Sequence, residues 1–125
     1  MTRAETPTEG TEQKALFRWA AYQERLYPEL KLLHHIPNGG YRTPAEAGKF
    51  RAMGVKAGVP DLFLPVARGG FHGLYIELKR VDHGKASALQ KGWMEALRSE
   101  GYKAVLCHGW VEASEEIVRY LMRGE

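Results

Sequence analysis

Apolar and polar side chains alternate strictly in Gly73-Leu74-Tyr75-Ile76-Glu77-Leu78-Lys79. On a strand this sends Leu74, Ile76 and Leu78 to one face and Tyr75, Glu77 and Lys79 to the other. Val59-Pro60-Asp61-Leu62-Phe63-Leu64-Pro65 reads as a neighbouring strand with its proline near the first position, where a missing N–H is tolerated. The turn-rich Ala67-Arg68-Gly69-Gly70 joins the two as an antiparallel hairpin. Upstream, Leu16, Trp19, Ala20 and Leu26 recur at helical spacing after Thr8 or Thr11, either of which can cap a helix. Leu30 to Ile36 predicts a short strand ending at the turn Pro37-Asn38-Gly39-Gly40. Thr43-Pro44 opens a helix that Gly54 ends. Ser87 caps a helix through Ser99 whose Leu89, Trp93, Ala96 and Leu97 form an apolar stripe. Tyr102 to His108 is the last strand, and Val111 to Met122 the closing helix. The alternation predicts an α/β fold with a central mixed β-sheet flanked by helices.

A chain of 125 residues is long enough for one domain with a real core, so residues 8–125 are expected to form it, after a fraying segment 1–7. The 44% hydrophobic content contains no apolar run near the ~18 residues of a membrane span. The N-terminus lacks the apolar stretch of a signal peptide, so a soluble, cytoplasmic protein without membrane association is expected. Cys107 is alone and sits in an apolar strand, which predicts a buried structural thiol. His34 and His35 are adjacent, so on a strand they point apart and make no ligand pair. The net charge of +3 is unevenly spread: nine Lys and Arg against four acids between Arg42 and Lys91 place +5 there. Arg42, Lys49, Arg51, Lys56, Arg80 and Lys85 are candidate contacts for a polyanion, and a solvated surface accounts for the same pattern.

The chemistry resides in Asp61, Glu77 and Lys79. Hard cations such as Mg²⁺ take one or two carboxylates plus waters and phosphate oxygens, so two acids brought together by a hairpin suffice. An ammonium beside them can hold a water and offset charge developing on a phosphate. Glu-x-Lys alone also describes many solvated hairpins.

Pro60-Asp61, the strand, and Glu77-Leu78-Lys79 together resemble the PD-(D/E)XK nucleases, specifically the small stand-alone VRR-NUC domain of phages and prophages. The resemblance also takes in Ala15-Leu16-Phe17-Arg18-Trp19, His35-Ile36-Pro37-Asn38-Gly39-Gly40, Gly54-Val55-Lys56-Ala57-Gly58-Val59, and Ser87 with Gln90 and Trp93. It implies a restriction-endonuclease-like fold and metal-dependent hydrolysis of DNA phosphodiesters. Asp61, Glu77 and the Leu78 carbonyl would hold Mg²⁺ or Mn²⁺, with Lys79 orienting water. Gln90 and a first-helix acid, Glu9 or Glu12, would support the site, the spacing to Gln13 favouring Glu9. Asn38 would lie near the cleft. The resemblance further implies a homodimer that resolves branched DNA such as Holliday junctions in DNA repair. A flap- or end-processing nuclease and a non-catalytic nucleic-acid-binding module are the alternatives. Tyr102, Trp110 and Tyr120 could seed a dimer interface, although core packing is favoured for each.

Overall fold

The computed structural model describes residues 6–37, 43–82 and 84–124. Helix α1 (Glu9–Gln23) starts where Thr8 accepts a hydrogen bond from the Thr11 amide, and α2 (Pro44–Ala52) starts likewise at Thr43. Both caps agree with the sequence reading. Helices α3 (Ala88–Ser99) and α4 (Trp110–Leu121) alternate with the later strands. Strands β1 (His34–His35), β2 (Leu62–Leu64), β3 (Leu74–Lys79) and β4 (Lys103–His108) form one sheet in the order β1-β2-β3-β4. The first three run antiparallel, and β4 lies parallel to β3 after crossing over through α3. The sheet is therefore mixed, as expected.

The strand predicted over Leu30 to Ile36 is mostly not one. Pro28 opens a 3₁₀ helix, Pro28–Leu32, and only His34–His35 pairs with β2. Leu30 and Leu33 explain the difference. They lie three residues apart and are both buried, which a three-residue turn achieves and a strand would forbid by sending them to opposite faces. Leu26 is also displaced from its expected place, because α1 stops at Gln23 and leaves it 74% exposed.

One face of the sheet carries Leu62, Leu64, Leu74, Ile76 and Leu78, all essentially inaccessible. Leu16 and Ala20 of α1 and Ala113, Ile117 and Tyr120 of α4 close over them into one core. Burial of this kind stabilises by ~1.5–3 kcal/mol per large apolar side chain. Cys107 lies in the same core, and burial pushes its thiol up to about 12, consistent with a structural role. Helix α3 covers part of the other face. There the Arg98 guanidinium donates two hydrogen bonds to the Ala104 carbonyl (3.1 and 2.7 Å) on β4, the outer strand of the sheet. Among the described residues, no helix is long and apolar enough to cross a membrane.

Tyr120 is inaccessible, and its hydroxyl donates to the Val66 carbonyl (2.5 Å), tying α4 to the chain beyond β2. Replacement by Phe keeps the ring and strands a buried acceptor, a loss of ~1–3 kcal/mol. Tyr120→Phe should therefore unfold at lower denaturant concentration with an unchanged m-value, as followed by circular dichroism. An unaltered midpoint would show that the bond contributes nothing.

Candidate active site

The β2–β3 register pairs Leu62 with Ile76, and backbone pairing stops there. Asp61 is one residue further, and its carboxylate takes over: Oδ2 accepts the Leu78 amide at 2.9 Å. This bond turns Asp61 toward the sheet face that carries Glu77, the next residue along β3. On the β1 side, the Asp61 carbonyl accepts the Ile36 amide (2.7 Å) and His35 Nδ1 (2.9 Å). A carbonyl can only accept, so Nδ1 carries the proton. The preceding loop is pinned as well: Gly58, at φ +91°, packs so closely on α3 that a Cβ would lie 2.6 Å from the Leu89 side chain. Asp61 is thereby held from its amide side, its carbonyl and its carboxylate.

Glu77 is 1% exposed, unusual for an acid. Its Oε2 accepts Gln90 Nε2 at 2.9 Å and lies 3.5 Å from Lys79 Nζ, itself only 9% exposed. Gln90 also completes a capping box with Ser87, its Oε1 accepting the Ser87 amide (2.9 Å) while its own amide donates to Ser87 Oγ (3.1 Å). One side chain thus starts α3 and steadies Glu77. The other oxygen, Oε1, is buried and has no hydrogen-bond partner among the described residues. Burial, and then the neighbouring Asp61 carboxylate, push the Glu77 carboxyl up to about 8, against a weaker opposing pull from Lys79.

An orphaned buried oxygen beside a second carboxylate is a place for a cation or a proton. Among the described residues no third His, Cys, Asp or Glu joins to form a larger cluster. Two carboxylates fit Mg²⁺ or Mn²⁺, which retain waters, better than a metal needing an all-protein cage.

The remaining candidates are scattered. Glu9 is exposed on the first turn of α1. Glu12, 5% exposed, accepts the Trp110 amide at 3.0 Å and so caps α4, whose N-cap Gly109 has no side chain to do so. The Gly109 amide in turn donates to the Lys79 carbonyl (2.8 Å), so Glu12 touches the site through backbone. Leu78 buries its side chain in the core and gives its amide to Asp61. Lys49, Arg51, Lys56 and Lys85 are exposed, and Arg80 lies 3.5 Å from Asp82. Asn38 and Arg42 fall outside the described residues. Tyr120 belongs to the core and Trp110 packs against it, as favoured, whereas Tyr102 does not. The sequence reading has Ser87 as a cap and Gln90 as a support without joining them into a capping box, and it gives His35 no bond to Asp61. The box had a signal, Ser87 followed three residues later by glutamine.

Two comparisons with known proteins point to a nuclease domain of the PD-(D/E)XK type. The sequence profile of the VRR-NUC domain matches residues 8–110. A solved structure described as a VRR_NUC domain protein superposes with a TM-score of 0.83 at 36% identity, covering 98% of this chain and 94% of that one. No curated protein shows a significant match. The chain belongs to the VRR-NUC family and has its α/β restriction-endonuclease-like fold.

The raised Glu77 carboxyl has a thermodynamic signature. Between the ordinary value of 4.5 and about 8 the folded chain holds a proton that the unfolded chain has lost. Stability in chelator should then fall as pH rises through that window and level off above it. Thermal melts across the window should show this slope in the parent protein and little of it in Glu77→Gln. Equal slopes in both would place the proton elsewhere.

Proposed function

We propose that this chain is a divalent-metal-dependent DNA endonuclease, structure-specific and acting as a homodimer on branched DNA. The observation that carries the reading is the Asp61–Glu77 pair with the orphaned Glu77 Oε1 and an ammonium 3.5 Å from its partner oxygen. Asp61, Glu77 and the Leu78 carbonyl would hold Mg²⁺ or Mn²⁺. The ion, when bound, supplies Lewis acidity toward a phosphodiester oxygen and lowers the pKa of water.

This chain's own groups do the rest. Lys79 holds the attacking water in line and offsets charge as it builds on the phosphate. Its buried setting strengthens that attraction, because less solvent screens it. Gln90 holds Glu77 Oε2, so the carboxylate does not rotate away. The Leu78 amide does the same for Asp61. Glu12 keeps α4 seated beside the Lys79 carbonyl, and either it or Glu9, on the exposed first turn, would be the first-helix acid that supports the metal centre. The exposed Lys49, Arg51, Lys56 and Lys85, with Arg80, supply phosphate contacts, and Asn38 and Arg42 extend them. The branched-substrate and homodimer assignment rests on the two symmetric cuts a four-way junction requires, which two active sites related by a two-fold axis can make. Flap or end processing would use the same groups on a different substrate shape. A binding module without catalysis gains nothing from two acids turned toward phosphates.

Lys79→Ala and Glu77→Ala should each lower cleavage of labelled DNA in Mg²⁺ or Mn²⁺ by at least ~10²–10³-fold. Calorimetry should show weaker metal binding in Glu77→Ala and unchanged binding in Lys79→Ala. Parental rates in either variant would remove the site. Neutralising Arg80 and Lys85 should reduce the slope of log affinity against log salt by about one for every phosphate that the variant no longer neutralises. Light scattering and nicking of fixed four-way junctions test the dimer and the substrate separately. A monomer that trims flaps and ignores junctions would retain the chemistry and exclude the junction assignment.

A further inference from the structure

Next to the carboxylate pair, on the same face of the sheet, lies a row of rings. The register that pairs Leu62 with Ile76 pairs Phe63 with Tyr75, each two residues from Asp61 and Glu77 along its own chain segment and so on their face. These two rings are stacked, with centroids 4.2 Å apart and planes 18° from parallel. Tyr102 meets both edge-on, at 5.9 Å from Phe63 and 5.3 Å from Tyr75. His34 extends the row past Phe63 (5.8 Å), and His72 past Tyr102 (5.7 Å). The row therefore crosses the sheet from β1 to the start of β4, parallel to the row of acids.

These rings are not part of the hydrophobic core. The core occupies the opposite face, and the half-buried aromatics packed against it are Phe17, Trp19, Tyr27, Phe71 and Trp110. Phe63, Tyr75 and Tyr102 are half-buried, and His34 and His72 exposed. Their seating is close: Gly73, just before β3, leaves the space that Phe63 fills, since a Cβ there would lie 2.8 Å from the ring. The rings are held in place, yet their surface is only partly covered.

We propose that this row stacks the bases of an unpaired DNA strand leading into the Asp61–Glu77 site. The proposal rests on the nuclease reading and adds the part of the substrate that the enzyme grips. Bases inside a duplex are stacked on one another and offer no face to a protein ring, whereas unpaired bases do. Stacking is also sequence-tolerant, since every base has a π-face. A row two residues from the acids, on the same face, lies along the path of a strand whose phosphate reaches them. A buried mini-core would have no need to adjoin the acids or to end at both sides in exposed histidines.

The test is binding by fluorescence anisotropy in EDTA, where no cleavage occurs, to labelled oligothymidine, to blunt duplex, and to duplex with an oligothymidine overhang. Tyr102→Leu and Phe63→Leu keep apolar volume and remove the π-face. Tyr102→Phe and Phe63→Tyr keep the π-face and control for folding, which melts also monitor. The leucine variants should lose about 5- to 150-fold in affinity for oligothymidine and for the overhang substrate, with blunt-duplex affinity unchanged and the aromatic swaps near parental. Equal losses on duplex and single strand, no loss, or no single-strand binding by the parent would overturn the proposal. So would a concentration-dependent dimer in light scattering that only the leucine variants lose, because the rings would then face a second copy. Cleavage in Mn²⁺ is read separately. Cleavage by the parent together with parental single-strand binding in the leucine variants sinks the row alone, and the expected binding pattern without any cleavage sinks the nuclease reading alone.

Discussion

Two carboxylates that would repel each other in water are held side by side, and the surrounding structure is arranged to keep them there. Glu77 is nearly inaccessible, so its charge is costly unless a proton or a cation shares the site. Several attachments resist separation. The Leu78 amide holds Asp61, the Gln90 side-chain amide holds Glu77, His35 holds the Asp61 carbonyl, and the core below holds Leu62 and Leu78. The frustration is local and the compensation is spread over β1, β2, β3 and α3, which is the usual signature of a site where function opposes stability.

Gln90 shows how fold and site share parts. Its side-chain oxygen starts a helix and its side-chain nitrogen orients an acid. Any substitution must therefore disturb both, and a loss of activity at this position cannot by itself be assigned to chemistry. Glu12 repeats the pattern at the same end of the sheet, where a buried carboxylate from α1 caps α4 beside the Lys79 carbonyl.

What could be seen in the sequence was what depends on period and on local caps. The alternation around Glu77, the hairpin turn, and the Thr8, Thr43 and Ser87 caps all follow from neighbours in the chain. Leu30 to Ile36 misled because leucines three apart satisfy both an apolar run and a 3₁₀ turn, and only the core decides between them. The Asp61–Glu77 meeting was legible because a short antiparallel hairpin converts sequence separation into register. The Gln90–Glu77 bond, the cap from Glu12 to Trp110 and the aromatic row span β–α–β or longer distances, and no periodicity encodes them.

Strand β4 ends the sheet, and its six residues present an outward row of backbone groups of the kind that invites a second strand. Arg98 occupies part of that row with a two-pronged grip on the Ala104 carbonyl. The guanidinium places a positive charge where an incoming strand would have to lie, and displacing it would cost its two hydrogen bonds to the carbonyl. A strand added at this border would have to displace Arg98. The helix that steadies Glu77 through Gln90 thus also covers part of this edge of the sheet.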